Sequence, residues 1–223
     1  MATSTVEDYL KCILLEQQRD PAALVSMRQI SAALSVAPGT VTSMVKTLAD
    51  SGLLTYEPYS GVRLTDSGSQ LALHVLRRHR LIELFLVRVM GMELSEVHAE
   101  AEELEHAVSE QLVYRMDEML GFPAVDPHGD PIPSSSGTVI ELDLPSLAEC
   151  PLGQPLRIAR IGDQSREFLQ LIERRRLLPG SRLAVEKRDE AADNVELRLD
   201  SGESLNLGFR AASKIFVETL DGE

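Results

Sequence analysis

Aromatic residues make up only 4% of this 223-residue chain, and cysteine occurs twice. Hydrophobic residues still reach 43%, so a core can form, but it must be mostly aliphatic. Cys12 and Cys150 are too few and too far apart for a disulfide framework, and they suit a reducing compartment. No apolar run nears the roughly 20 residues of a membrane span. The opening MATSTVEDYLKC is acidic and has neither the basic nor the apolar region of a secretory leader. These absences predict a cytoplasmic protein with no membrane segment. Positive charge is also short: 22 Lys and Arg face 35 Asp and Glu, a net −13. Nucleic-acid affinity comes largely from Lys and Arg neutralising phosphates. A DNA reader of this composition needs local help, which a cation that cancels carboxylates would supply.

The N-terminal pattern nevertheless suits a DNA reader. Residues 5–18 place Val6, Leu10, Ile13 and Leu14 at helical spacing. Residues 26–34 form a short second helix, with Ser26 as N-cap and Ile30, Ala33 and Leu34 inward. SVAPG then breaks the helix, and GTVTSMVKTLADSG makes a third, facing Val41, Met44, Val45 and Leu48 inward. LLTY and VRLT flank a turn at Pro58, Ser60 and Gly61 and read as a hairpin. Helix, turn, helix, hairpin is the layout of a winged helix-turn-helix.

From about 67 to 121 the pattern is helical. One long helix ends at Gly91, and a second runs from Ser95 to Gly121. The apolar run LIELFLVRVM exceeds what one small domain needs and predicts a subunit interface. Residues 122–137 hold four prolines and read as a linker or a long ordered turn. Beyond 138 come LRIARI, RLAVEKR, VELRLD, ESLNL and KIFVETL, with one helix over DQSREFLQLIERR. That set suggests a small SH3-like β-barrel. The fold class is therefore mainly α with β. The expected domains are a winged helix over 1–73, a helical dimerisation and metal-binding domain over 74–137, and an SH3-like (FeoA-like) domain over 138–223.

The stretch VHAEAEELEH, residues 97–106, carries metal-ligand chemistry. Val97, Ala101, Leu104 and Val108 form an apolar stripe on a helical wheel. His98, Glu102 and Glu105 form the stripe beside it, and His106 lies one turn on from Glu102. Glu100 and Glu103 point toward solvent. On the preceding helix His79 and Glu83 share a face at i, i+4. Glu7 and Asp8 precede the apolar face of helix one. Taken alone, each set is either a metal site at the rim of a buried face or an ordinary solvated acidic face.

The combination of SVAPGTVTSMVKTL, RRHRLIELFL, EVHAEAEELEH and DPHGDPIP resembles metal-dependent transcriptional repressors of the diphtheria toxin repressor family, over nearly the whole chain. The resemblance implies two neighbouring metal sites per subunit. The primary site takes Glu102, Glu105, His106 and, from helix one, Asp8. The second takes His79, Glu83 and His98. Some relatives add ligands from the β-domain; the matching segment here offers Gln164 and Glu167, with Asp163 the lesser candidate. Some manganese-responsive relatives place a cysteine before PHG, where this chain has Asp126. Iron-responsive relatives carry Met and Cys where this chain has Asp8 and Glu102. Mn²⁺ binds weakest in the divalent series, so oxygen-rich sites favour it while sulfur recruits softer ions. Mn²⁺ is therefore the expected cofactor, with Fe²⁺ the alternative.

Residues 1–75 hold five basic and seven acidic side chains. The expected DNA contacts are Ala37, Pro38, Thr40, Thr42, Ser43 and Lys46 on the third helix, Arg28 before it, and Tyr59 and Arg63 on the wing. The expectation is a metal-activated repressor of metal-uptake genes, a homodimer on a palindromic operator in double-stranded DNA. The rival of another class is a di-metal carboxylate enzyme. It asks for a second Glu-x-x-His beside Glu103–His106, and the chain does not supply one.

Overall fold

In the computed structural model, residues 3–140 and 142–220 are described. Helix α1 spans Ser4–Arg19, α2 Met27–Leu34 and α3 Pro38–Asp50. Ser26 starts α2 with a reciprocal capping box: its Oγ accepts from Gln29 N, and the Gln29 side chain accepts from Ser26 N. Ser35 closes α2 in the left-handed conformation, and Pro38 opens α3 at a position where its missing N–H costs nothing. Strands β1 (Leu54–Glu57) and β2 (Gly61–Leu64) pair antiparallel as the wing, and Val25 bridges to Val62. Leu10, Ile13, Ile30, Val41, Val45, Leu48 and Val62 make an aliphatic core beneath them.

Helix α4 (Asp66–Arg88) follows, then α5 (Val97–Leu104) and α6 (Glu110–Met119). The expected single helix from Ser95 to Gly121 is thus two helices. Ser109 is the reason: its Oγ accepts from Leu112 N and starts α6 afresh. The apolar stripe breaks with the helix. Val97 and Ala101 are buried, but Leu104 is exposed.

The run LIELFLVRVM also departs from expectation. Leu81, Ile82, Leu84 and Leu86 bury against Val97, Ala101, Val113 and Ile132 of the same chain. Of that run Val89 and Met90 at its end are exposed, and farther on in the helical region so are Leu104, Leu112, Tyr114, Met119 and Phe122.

The C-terminal part contains β3 (Leu156–Ile161), α7 (Arg166–Arg175), β4 (Arg182–Asp189), β5 (Asn194–Leu199), β6 (Ser204–Leu207), α8 (Phe209–Ala212) and β7 (Ile215–Thr219). The strands form one antiparallel sheet in the order β6-β5-β4-β3-β7. Its core is Leu156, Ile158, Ile161, Leu169, Ile172, Val185, Leu197 and Val217.

The proline-rich stretch is an ordered turn. Asp126 Oδ1 accepts from His128 N and Asp130 N, and Val125 bridges Pro131. Gly129 has φ +89°, and a Cβ there would stand 1.9 Å from the Ala159 carbonyl oxygen. Only glycine lets this turn lie flat on β3, where Ile161 N donates to His128 O at 2.8 Å.

The chain divides into two compact units. The first runs to His79 and takes in Glu105–Ala107 and Pro133–Val139. The second holds Arg80–Leu104, Val108–Ile132 and the chain from Ile140 on.

Candidate metal centre

Within the first unit, α1 and the residues after α5 bring three donors together. Asp8 Oδ1 lies 2.8 Å from His106 Nε2, and Glu105 Oε1 lies 3.3 Å from the same nitrogen. Asp8, Glu105 and His106 offer one donor each, all within 4.8 Å of one another. Two donors bound at right angles by one ion, each about 2.2 Å from it, stand about 3.1 Å apart. The trio therefore fits a divalent cation. His106 lies in the turn that follows α5.

The trio is set by its neighbours. Glu105 is fully buried. Its Oε1 accepts from Lys11 Nζ at 2.6 Å, and its Oε2 meets His79 Nδ1 at 2.6 Å. Burial pushes the Glu105 carboxyl up, but the His79 hydrogen bond and the Lys11 ammonium outweigh it, holding its pKa below the ordinary value. Glu7 Oε2 meets His106 Nδ1 at 2.8 Å and is itself held by Arg78 at 2.9 Å. With Nδ1 facing Glu7, Nε2 is the nitrogen turned toward Asp8 and Glu105, and it would give its lone pair to an ion in place of its proton. Burial disfavours imidazolium, but Glu7, Glu105 and Asp8 together raise the His106 pKa. The resemblance singled out Asp8; the carboxylate that meets His106 Nδ1 is its neighbour Glu7.

A second cluster lies within the second unit. Glu83, 1% exposed, has Oε1 3.2 Å from His98 Nδ1 and 3.7 Å from His128 Nε2. His79 stands one turn before Glu83 on α4 and pairs with Glu105 in the first unit. His128 is completely buried, and neither ring nitrogen has a hydrogen-bond partner among the described residues. Burial lowers its pKa, but Glu83, Asp126 and Asp130 raise it further. Sequence reasoning passed over His128 because it sits in a stretch that reads as a turn. Glu102 Oε1 is 3.7 Å from His98 Nε2.

Three candidates are engaged elsewhere. Asp126 gives Oδ1 to two backbone N–H groups and Oδ2 to Arg80 at 3.5 Å. Burial, with Asp130 and Glu83 nearby, pushes its pKa up to about 7. Asp126 thus shapes the turn through Oδ1, with Arg80 beside Oδ2. Gln164 gives its amide to Asp130 Oδ2 at 2.7 Å, and Glu167 is exposed on α7. Neither joins a ligand cluster among the described residues. Asp163 caps Ser165 N and is held by Lys214, which brings its pKa to about 2.

On the reading head, Arg28, Ala37, Pro38, Thr40, Ser43 and Lys46 are exposed, and Thr42 is half-buried with its hydroxyl on Pro38 O. No side chain caps α3. Tyr59 stands fully exposed at the wing tip with φ 67°. Arg63 turns inward: its guanidinium donates to the carbonyls of Pro21, Ala22 and Ala23 at 2.9–3.2 Å. This ties the wing to the α1–α2 loop and narrows the expected contact set.

The chain matches the family models for the iron dependent repressor N-terminal DNA binding domain over residues 1–62 and the iron dependent repressor metal binding and dimerisation domain over 65–134. A FeoA domain matches over 146–219. It is 30% identical to the iron-dependent repressor IdeR of Mycobacterium leprae, over 97% of each chain. The protein belongs to the iron-dependent repressor family of metal-dependent transcriptional repressors. Other relatives of this repressor are regulators too. The HTH-type transcriptional regulator MntR of Lysinibacillus sphaericus is 36% identical over 54% of this chain and 84% of its own. Among solved structures, a manganese-dependent transcriptional repressor in complex with manganese superposes with TM-score 0.84 at 39% identity, covering 96% of this chain and 100% of that one. ScaR with bound Cd²⁺ gives 0.76 at 33%, covering 96% and 99%.

Proposed function

We propose that this repressor is manganese-activated. The observation that carries the reading is the donor set: Asp8 and Glu105 oxygens and a His106 nitrogen, with no sulfur. Cys12, one turn from Asp8, is no ligand. It is buried in the aliphatic core, and burial with Glu16 nearby pushes its thiol up to about 11. Hard, oxygen-rich sites suit Mn²⁺, whereas thiolate and thioether recruit softer ions. The structural relative in complex with manganese supports the choice.

Asp8, Glu105 and His106 would hold the ion. A second ion would take Glu83 and His98. The ion supplies positive charge that turns carboxylate repulsion into attraction. Asp8 then fixes α1 against the segment after α5, Glu7 keeps His106 Nε2 aimed at the site, and the burial of Glu105 excludes water. Fixing α1 fixes α3, which shares its core. The uncapped start of α3, Lys46, Arg28 and Tyr59 would meet the operator in the major groove and along its backbone. The exposed apolar side chains of α6 and the end of α4 would meet a second copy, which places two reading heads on a palindrome upstream of metal-uptake genes. The setting is cytoplasmic; among the described residues no helix is long and apolar enough to cross a membrane.

Titration of a palindromic operator with Mn²⁺, Fe²⁺ and Zn²⁺, read by footprinting, tests this. Mn²⁺ should drive protection, and Asp8→Met should move the response toward Fe²⁺. Protection without metal, or an unchanged Mn²⁺ response in Asp8→Met, overturns the assignment.

A further inference from the structure

We propose that Lys11 is a resident cation in the metal site, displaced when a divalent ion binds, so that it sets the metal concentration to which the protein responds. This rests on the metal reading above and deepens it. Lys11 lies on α1, one turn beyond Asp8, and is 6% exposed. Its Nζ is 2.6 Å from Glu105 Oε1. That oxygen is also the one 3.3 Å from His106 Nε2, within the donor trio. An ammonium and a divalent ion cannot share one desolvated carboxylate oxygen, because their repulsion grows as water is excluded. Nor can Glu105 simply turn over, since Oε2 is engaged by His79 at 2.6 Å.

The arrangement has two consequences. First, Glu105 meets an incoming ion already flanked, with Lys11 on Oε1 and His79 on Oε2, each at 2.6 Å. Second, metal uptake must break a buried ion pair, and that loss is subtracted from the binding energy. The flexible four-carbon stem of lysine suits such a departure, whereas the planar fork of arginine would not pack in the same place. Lysine here weakens the site on purpose: it stabilises the metal-free state and raises the threshold.

The test uses the full chain, with Mn²⁺ uptake followed by loss of the free-ion EPR signal and melting followed in chelator. Lys11→Met should bind its first Mn²⁺ about tenfold tighter or more, because the pair no longer opposes binding. Its metal-free form should melt lower, and Mn²⁺ should restore it. Lys11→Gln, which keeps a neutral donor for Glu105, should fold more readily and also bind tighter, and it carries the comparison if Lys11→Met fails to fold. Equal or weaker Mn²⁺ binding by folded variants, beside a wild type that binds, overturns the displacement and leaves the manganese reading intact. A wild type that takes up no Mn²⁺ overturns that reading instead.

Discussion

Glu105 and Glu83 are both buried carboxylates flanked by histidines, yet they are balanced in opposite ways. Glu105 has a cation on one oxygen and His79 on the other, and its pKa is lowered. Glu83 faces His98, which is half exposed, and His128, whose Nε2 is 3.7 Å away and whose ring nitrogens have no hydrogen-bond partner among the described residues. The first site is charged, compensated and poised. The second is a carboxylate between two imidazoles, with Asp126 nearby held at about 7. Identical residue types therefore do not make equivalent sites; the counter-charges around them decide.

The sharpest way to break the contrast is Glu105→Ala. It removes the carboxylate that meets both Lys11 and His79 in a buried place and should cost about 3–5 kcal/mol, read by urea denaturation, together with the tighter class of Mn²⁺ binding by calorimetry. Survival of tight binding would mean that Glu105 is not a ligand. Next is Gly129→Ala, which attacks the second site through its support. The added Cβ meets the Ala159 carbonyl at a positive φ, so the turn that carries His128 must lift. A loss of about 2–3 kcal/mol is expected in the same assay; a change under 1 kcal/mol, on the scale of an ordinary surface substitution, would show that the turn is not seated as described. The smallest effect belongs to Glu7→Gln. It keeps a hydrogen bond to His106 but not the charge, and should weaken Mn²⁺ binding by about tenfold with little change in stability. An unchanged affinity would reduce Glu7 to a partner of Arg78 alone.

The winged helix was legible because its punctuation is strong: Ser26 before α2, Pro38 at the start of α3, and the Ser60–Gly61 turn between β1 and β2 each carry a backbone reason. The strands β3 to β7 were legible from alternation. The split between α5 and α6 was not, because a helical wheel treats Ser109 as one more polar position, and its capping role shows only when the backbone is built. The same wheel placed His106 on a helix it does not occupy. Asp8, Glu105 and His106 were assigned from the resemblance, and the described geometry brings these three together. Lys11 entered the sequence only as one positive charge in a count. Its burial against a residue 94 positions away is a tertiary fact. His128 was hidden for the opposite reason, since a Pro- and Gly-rich turn suggests solvent and this histidine has none.

The compact unit that reads DNA borrows Glu105–Ala107 from beyond α5. The module that could be exchanged between relatives is therefore discontinuous in the gene. A recombinant joining residues 1–73 to a foreign partner would carry α1 with a buried ammonium but without the Glu105 carboxylate that meets it. Such chimeras lose this one pairing unless the recipient supplies an acid at the matching place. Exchange of this reading head thus has to preserve a pairing rule as well as a splice point.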